Sequence, residues 1–68
     1  MNRLIAQKLK TITLLYAEDE DNIRENIVST LRYYVKEVIE AKDGKEAWKL
    51  YKEKKPDIIM SDILMPLM

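Results

Sequence analysis

Two places in the sequence carry acids where a chain of this composition has little reason to put them. Glu18-Asp19 follows Leu14-Leu15-Tyr16-Ala17, and Asp62 follows Ile58-Ile59-Met60-Ser61. An ionised carboxylate does not continue a buried strand, so both mark strand exits. Carboxylates that meet in one crevice repel each other, and the usual resolutions are protonation of one or capture of a cation. Mg²⁺ suits such a set, because one or two protein carboxylates plus waters and phosphate oxygens are enough to hold it. A carboxylate beside that ion can attack phosphorus and become an aspartyl phosphate, which makes Asp62 the candidate nucleophile. Acids at strand ends also serve as helix caps or solvated loop charges, and Glu20 and Asp21 fit that reading equally well.

The elements that must position these acids follow from the apolar pattern. Thr11 to Ala17 reads as a first strand. Asn22 with Glu25 three residues on has the form of a capping box, and Ile23, Ile27 and Leu31 then recur at helical spacing. That predicts a first helix to about Tyr33 or Tyr34, with the two tyrosines at core and rim. Val38 to Ala41 is short and β-prone. Asp43 and Glu46 form a second capping box, and Ala47, Leu50 and Tyr51 form the inner stripe of a second helix ending before Pro56. Lys45, Lys49, Lys52 and Glu53 are expected in water, Trp48 is expected as a packing residue, and Lys52, Lys54 and Lys55 read as a solvated helix end. Asp57 to Ser61 is the third strand, apolar on both faces as in a parallel sheet covered on both sides.

Strands alternating with short helices predict βαβ units with right-handed crossovers. In a parallel sheet of order 2-1-3, ligands bind outside the carboxyl ends, in the crevice between the first and third strands. Glu18, Asp19 and Asp62 all belong to that crevice.

Composition narrows the function classes. The 68 residues contain no cysteine and no histidine, which removes disulfides, thiolate or imidazole metal sites and any histidine base or cysteine nucleophile. Twelve basic and twelve acidic residues cancel, so no whole-chain field favours nucleic acid or an anionic membrane, and neither partner is expected. The apolar stretches are too short for a signal peptide or a membrane span, and a cytoplasmic location is expected. Leu4, Ile5 and Leu9 have the spacing of a short amphipathic helix in an amino-terminal extension of residues 1–10. A leader or an upstream contact fits that segment equally.

Three segments resemble the receiver domain of two-component response regulators. They are Leu14-Leu15-Tyr16-Ala17-Glu18-Asp19-Glu20, then Glu40-Ala41-Lys42-Asp43-Gly44-Lys45-Glu46-Ala47, then Pro56-Asp57-Ile58-Ile59-Met60-Ser61-Asp62-Ile63-Leu64-Met65-Pro66. The resemblance implies a flavodoxin-like α/β receiver fold, here β-α-β-α-β across residues 11–68. It implies Asp62 as the phosphoacceptor, with a sensor histidine kinase as donor. It further implies that Asp19 binds Mg²⁺ directly, that Glu18 acts through water, and that the backbone carbonyl of Leu64 completes the protein ligands. Two positions depart from the pattern: Glu18 stands where aspartate is commoner, and Leu67 replaces a frequent loop glycine.

The family domain runs to roughly 120 residues, and the sequence ends near its middle. The expectation is therefore a truncated receiver lacking the later strands with their switch hydroxyl and phosphate-binding lysine, impaired in phosphorylation and not an enzyme in its own right. A third strand left as an edge predicts a homo-oligomer formed through it. The alternative function is a half-receiver that serves as an assembly element and is not phosphorylated.

Overall fold

The structure, a computed structural model, describes residues 3–61. Its elements in chain order are α1 (Arg3–Leu9), β1 (Thr13–Ala17), α2 (Asp21–Leu31), β2 (Glu37–Ala41), α3 (Gly44–Lys54) and β3 (Ile58–Ser61). The three strands form one parallel sheet, as the βαβ pattern predicts, in the order β2-β1-β3 expected of a receiver-like fold. This is the arrangement of the amino-terminal part of a flavodoxin-like receiver.

Central position explains the composition of β1. Leu14, Leu15, Tyr16 and Ala17 are all buried, because each alternate residue meets a helix on one face or the other. On one side, Leu14 and Tyr16 pack with Val28 of α2 and with Val35 and Val38, joined at the margin by Leu9, Ile27, Leu31 and Met60. On the other side, Leu15 and Ala17 pack with Ala41 and with Ala47 of α3, joined by Ile39 and Leu50. The first face is built from large side chains and the second mostly from methyl groups.

β3 is tied to β1 at its entry by a reciprocal pair of hydrogen bonds. The Thr13 amide donates to Asp57 Oδ2 at 2.8 Å, and the Asp57 amide donates to the Thr13 carbonyl at 2.8 Å. From there the strands run in register, Leu14 opposite Ile58 through Ala17 opposite Ser61. Among the described residues β3 pairs on one side alone, with Ile58 41% and Ile59 50% exposed.

Several sequence expectations need correction. β1 begins at Thr13 rather than Thr11, because residues 10–12 turn back on α1: the Thr11 and Ile12 amides donate to the Lys8 and Leu9 carbonyls. α2 ends at Leu31, after which a turn carries Tyr33 and Tyr34 into solvent and Val35 into the core. Tyr33 and Tyr34 are therefore surface residues. Tyr51 is not part of the inner stripe of α3 and Trp48 is not a core residue; both rings are substantially exposed and stack on each other with centroids 5.8 Å apart. The inner stripe is Ala47 with Leu50, against Ala17 and Ala41.

The start of α3 follows the expected cap. Asp43 Oδ1 accepts the Glu46 amide at 2.7 Å, while Glu46 reaches back one residue further than a capping box requires, to the Lys42 amide at 3.0 Å. Its end is a left-handed Lys55 with φ 48°, whose amide donates to the Tyr51 carbonyl just before Pro56. A non-glycine residue there costs about 1 kcal/mol. The segment 3–9 does form a helix, α1, with no buried residue, and Leu9 alone of its three spaced apolar residues joins the core margin. Among the described residues no helix is long and apolar enough to cross a membrane.

Candidate functional site

β1 delivers the acidic pair. Its ladder continues one residue past the strand, with the Glu18 amide donating to the Ala41 carbonyl at 3.0 Å. This added rung brings Glu18 to the carboxyl edge of the sheet with its side chain still covered: the residue is 5% exposed and is the one buried charged residue of the described core. Asp19, next along, is exposed.

Glu18 is held from three directions. Its Oε2 accepts the Glu20 amide at 3.1 Å, its carbonyl accepts Arg24 Nη1 at 2.8 Å, and its amide is in the ladder. Arg24 in turn donates through Nη2 to Asp21 Oδ1 at 2.6 Å and lies 3.5 Å from Glu40 Oε1. Glu40 also pairs with Arg32 at 3.3 Å, so one line of charges joins the acidic loop, α2 and β2. The hydrogen bond with Asp21, with further attraction from Glu40, raises the already high pKa of Arg24 against the opposing effect of its partial burial.

The same contacts overturn the predicted capping box at Asn22 and Glu25. α2 begins two residues earlier, with Glu20 rather than Asn22 as its N-cap and no side-chain capping bond. The Glu18 carboxylate already occupies the Glu20 amide, and the Arg24 guanidinium crosses the first turn to reach Glu18 and Asp21. Arg24 is the residue the sequence reading missed. Its signal was the Asp21–Arg24 spacing of three residues on one helix face.

The metal set expected from the sequence comprises Glu18, Asp19, Asp62 and the Leu64 carbonyl. Glu18 and Asp19 are brought to one strand exit, whereas Asp62 and Leu64 lie outside the described residues. Among the described residues no three acids gather into a metal-holding group. The oxygen chemistry present does fit a hard cation: Glu18 accepts a hydrogen bond from the described residues through Oε2 alone, and Asp19 has no hydrogen bond or ion pair with them. Ser61, the immediate sequence neighbour of Asp62, stands opposite Ala17, the immediate neighbour of Glu18.

A parallel sheet of order 2-1-3 with an acidic pair at the central strand's exit defines a class, and comparison with known proteins agrees. The model of the response regulator receiver domain matches residues 14–68, and the chain belongs to that family. The chain is 36% identical over 58 residues to the transcriptional regulatory protein LnrK of Bacillus subtilis, covering 82% of this chain and 26% of that protein. It is 38% identical over 65 residues to Histidine kinase P4 of Formosa agariphila, covering 96% of this chain and 5% of that protein. A third relative is the two-component response regulator-like protein APRR7 of Arabidopsis thaliana, 33% identical over 85% of this chain and 8% of that protein. The chain thus spans about a quarter or less of the length of these relatives. No solved structure matches it at the same stringency.

Proposed function

We propose that this chain is the phosphoacceptor part of a two-component receiver, in which Asp62 takes a phosphoryl group from a sensor histidine kinase. The observation that carries the reading is the buried, three-way-held Glu18 at the exit of β1, beside a β3 that runs parallel and in register up to Ser61. The exit of β1, with its acidic pair, lies level with Ser61 at the carboxyl edge of the sheet, the side on which ligands of such sheets bind, and this supports the reading.

Receiver domains generally bind Mg²⁺ at the phosphorylation site. In this chain Glu18, Asp19, Asp62 and the Leu64 carbonyl are the groups that would hold it. When bound, the ion neutralises charge on the transferring oxygens. Glu18 is a buried carboxylate held in place through its amide, its carbonyl and Oε2, Asp19 offers an exposed carboxylate, and Asp62 would attack the phosphorus of the donor phosphohistidine, the new O–P bond forming as the P–N bond breaks and the imidazole leaves. Arg24, which bonds the Glu18 carbonyl, is ion-paired to Asp21 and Glu40, so its charge is already partly neutralised. For that reason the 68 residues by themselves are expected to phosphorylate slowly and incompletely, acting as a recipient of phosphate rather than an enzyme.

The test is incubation with radiolabelled acetyl phosphate and Mg²⁺, followed by intact mass and peptide mapping. A small labelled fraction confined to Asp62, lost in Asp62→Asn and on chelation, is the expected result. Label elsewhere, label that survives Asp62→Asn, or no label at all would overturn the assignment. Near-stoichiometric label on Asp62 would keep the site and remove the impairment.

One observation favours the second reading, an assembly element. Ile58 and Ile59 are exposed on a strand that pairs on one side alone among the described residues. A homo-oligomer through β3 is the expected form in that case. Light scattering should then give a mass that rises with concentration and returns to the monomer in Ile59→Lys. A monomeric mass throughout, with a cooperative melt, would remove this reading.

A further inference from the structure

The charges of this molecule are sorted unevenly. Both arginines of α2 and its following turn, Arg24 and Arg32, are ion-paired to carboxylates. Around α3 the reverse holds: Lys42, Lys45, Lys49 and Lys52 line one open groove, and none of the four ammonium groups is ion-paired to a described carboxylate. Two acids share the groove, Asp43 and Glu46. Both carboxylates already accept backbone amides at the start of the helix. The groove therefore carries more positive than negative groups, and its negative groups are tied down.

The groove has an apolar element as well. Trp48 is 42% exposed, stacked on Tyr51 on one flank, with the Lys52 ammonium 5.4 Å from its ring centroid. A half-exposed aromatic ring stacked on a second ring, in a groove that lysines without ion pairs also line, has the anatomy of a recognition surface: an apolar anchor with a charged rim.

We propose that this groove along α3 is a docking surface for an acidic protein segment that seats one apolar side chain against Trp48 while its carboxylates pair with Lys45, Lys49 and Lys52. Charge complementarity selects the occupant. A nucleic acid brings one phosphate per nucleotide and depends on a broad positive field, whereas this groove contains Asp43 and Glu46 and belongs to a chain of zero formal charge. Spaced carboxylates around an apolar residue match the groove's spaced lysines around an aromatic one. The surface is on the opposite face of the sheet from α2 and the Arg24 line of charges. Loss of docking therefore leaves the Asp62 chemistry untouched, and the two readings fail separately.

The experiment is fluorescence anisotropy with the full chain and a short fluorescein-labelled peptide of Glu and Asp residues around one Leu. A charge-reversed lysine peptide and a single-stranded oligonucleotide of similar length serve as competitors for the surface. Trp48 is the one tryptophan in the sequence, so a titration with unlabelled peptide reads the groove directly without any substitution. The expected result is saturable binding of the acidic peptide that shifts Trp48 emission and weakens with salt. In Lys45→Glu with Lys49→Glu binding should fall about tenfold or more, with an unchanged circular dichroism spectrum. If that pair does not fold, Lys45→Gln with Lys49→Gln is expected to weaken binding in the same direction. Flat anisotropy, binding indifferent to these substitutions, or tighter binding of the oligonucleotide than of the acidic peptide would each overturn the proposal.

Discussion

The two faces of the sheet solve the same packing problem differently. Toward α2, β1 presents Leu14 and Tyr16, and the interface fills with Val28, Val35 and Val38. Toward α3 it presents Leu15 and Ala17, and the contact surface is completed by Ala41 and Ala47. The first interface gains its stability from volume and ties its charged margin with arginine pairs. The second gains closeness, and leaves its aromatic rings and lysines outside. A face that must hold an acidic loop in place is thus pinned, while a face with a helix lying close to the sheet keeps its large groups for contact with something else.

Substitutions can break or sharpen this contrast. The largest effect is expected for Tyr16→Ala, since Tyr16 is fully buried at the centre of the voluminous face. A loss of about 3–5 kcal/mol would leave a domain of this size largely unfolded, visible as the disappearance of the denaturant transition. Ala47→Leu tests the close face from the opposite direction. Inserting a larger side chain where Ala47 meets Ala17 and Ala41 should cost roughly 1–3 kcal/mol by overpacking, read as a lower urea midpoint. A stabilised Ala47→Leu would mean that the α3 face has spare room and that the contrast is false. The smallest of the three is Asp43→Ala, which removes the cap of α3 and should cost about 1 kcal/mol. Its loss of helix should appear first in hydrogen exchange of the Glu46 and Ala47 amides, with those of β1 unaffected.

Much of this arrangement could be read from the residues. β-branched and leucine runs interrupted by acids located the strands, the alternation with short helices pointed to a parallel sheet, and the receiver resemblance implied the order 2-1-3 that the structure has. Asp43 with Glu46 announced the start of α3 because a short acid before a helix has few better hydrogen-bond partners. The start of α2 was misread for a physical reason: Asn22 and Glu25 matched a capping motif, but the Glu18 carboxylate takes the Glu20 amide and Arg24 bonds the Glu18 carbonyl and Asp21, and the helix starts from Glu20 instead. Trp48 and Tyr51 were misread because helical spacing tells which side a residue occupies without telling how near the helix lies to the sheet. The role of Asp57 as a bond to Thr13 depends on residues 44 apart in sequence, and no local pattern carries it. Glu18 and Asp19 were placed correctly at the exit of β1, while the parts assigned to Asp62 and Leu64 concern residues beyond 61.

At the carboxyl end of the sheet, Ala41, Ala17 and Ser61 stand side by side across the three strands. No long side chain lies in that row to bend or change rotamer, and Ala17 and Ala41 belong to the cluster that holds Ala47 of α3. Short, stiff contacts transmit displacement rather than absorb it. The carboxyl edge beside Glu18 and the helix that carries Trp48 and Tyr51 therefore share one packed cluster, in which a side chain larger than a methyl group at Ala17 or Ala41 would crowd both.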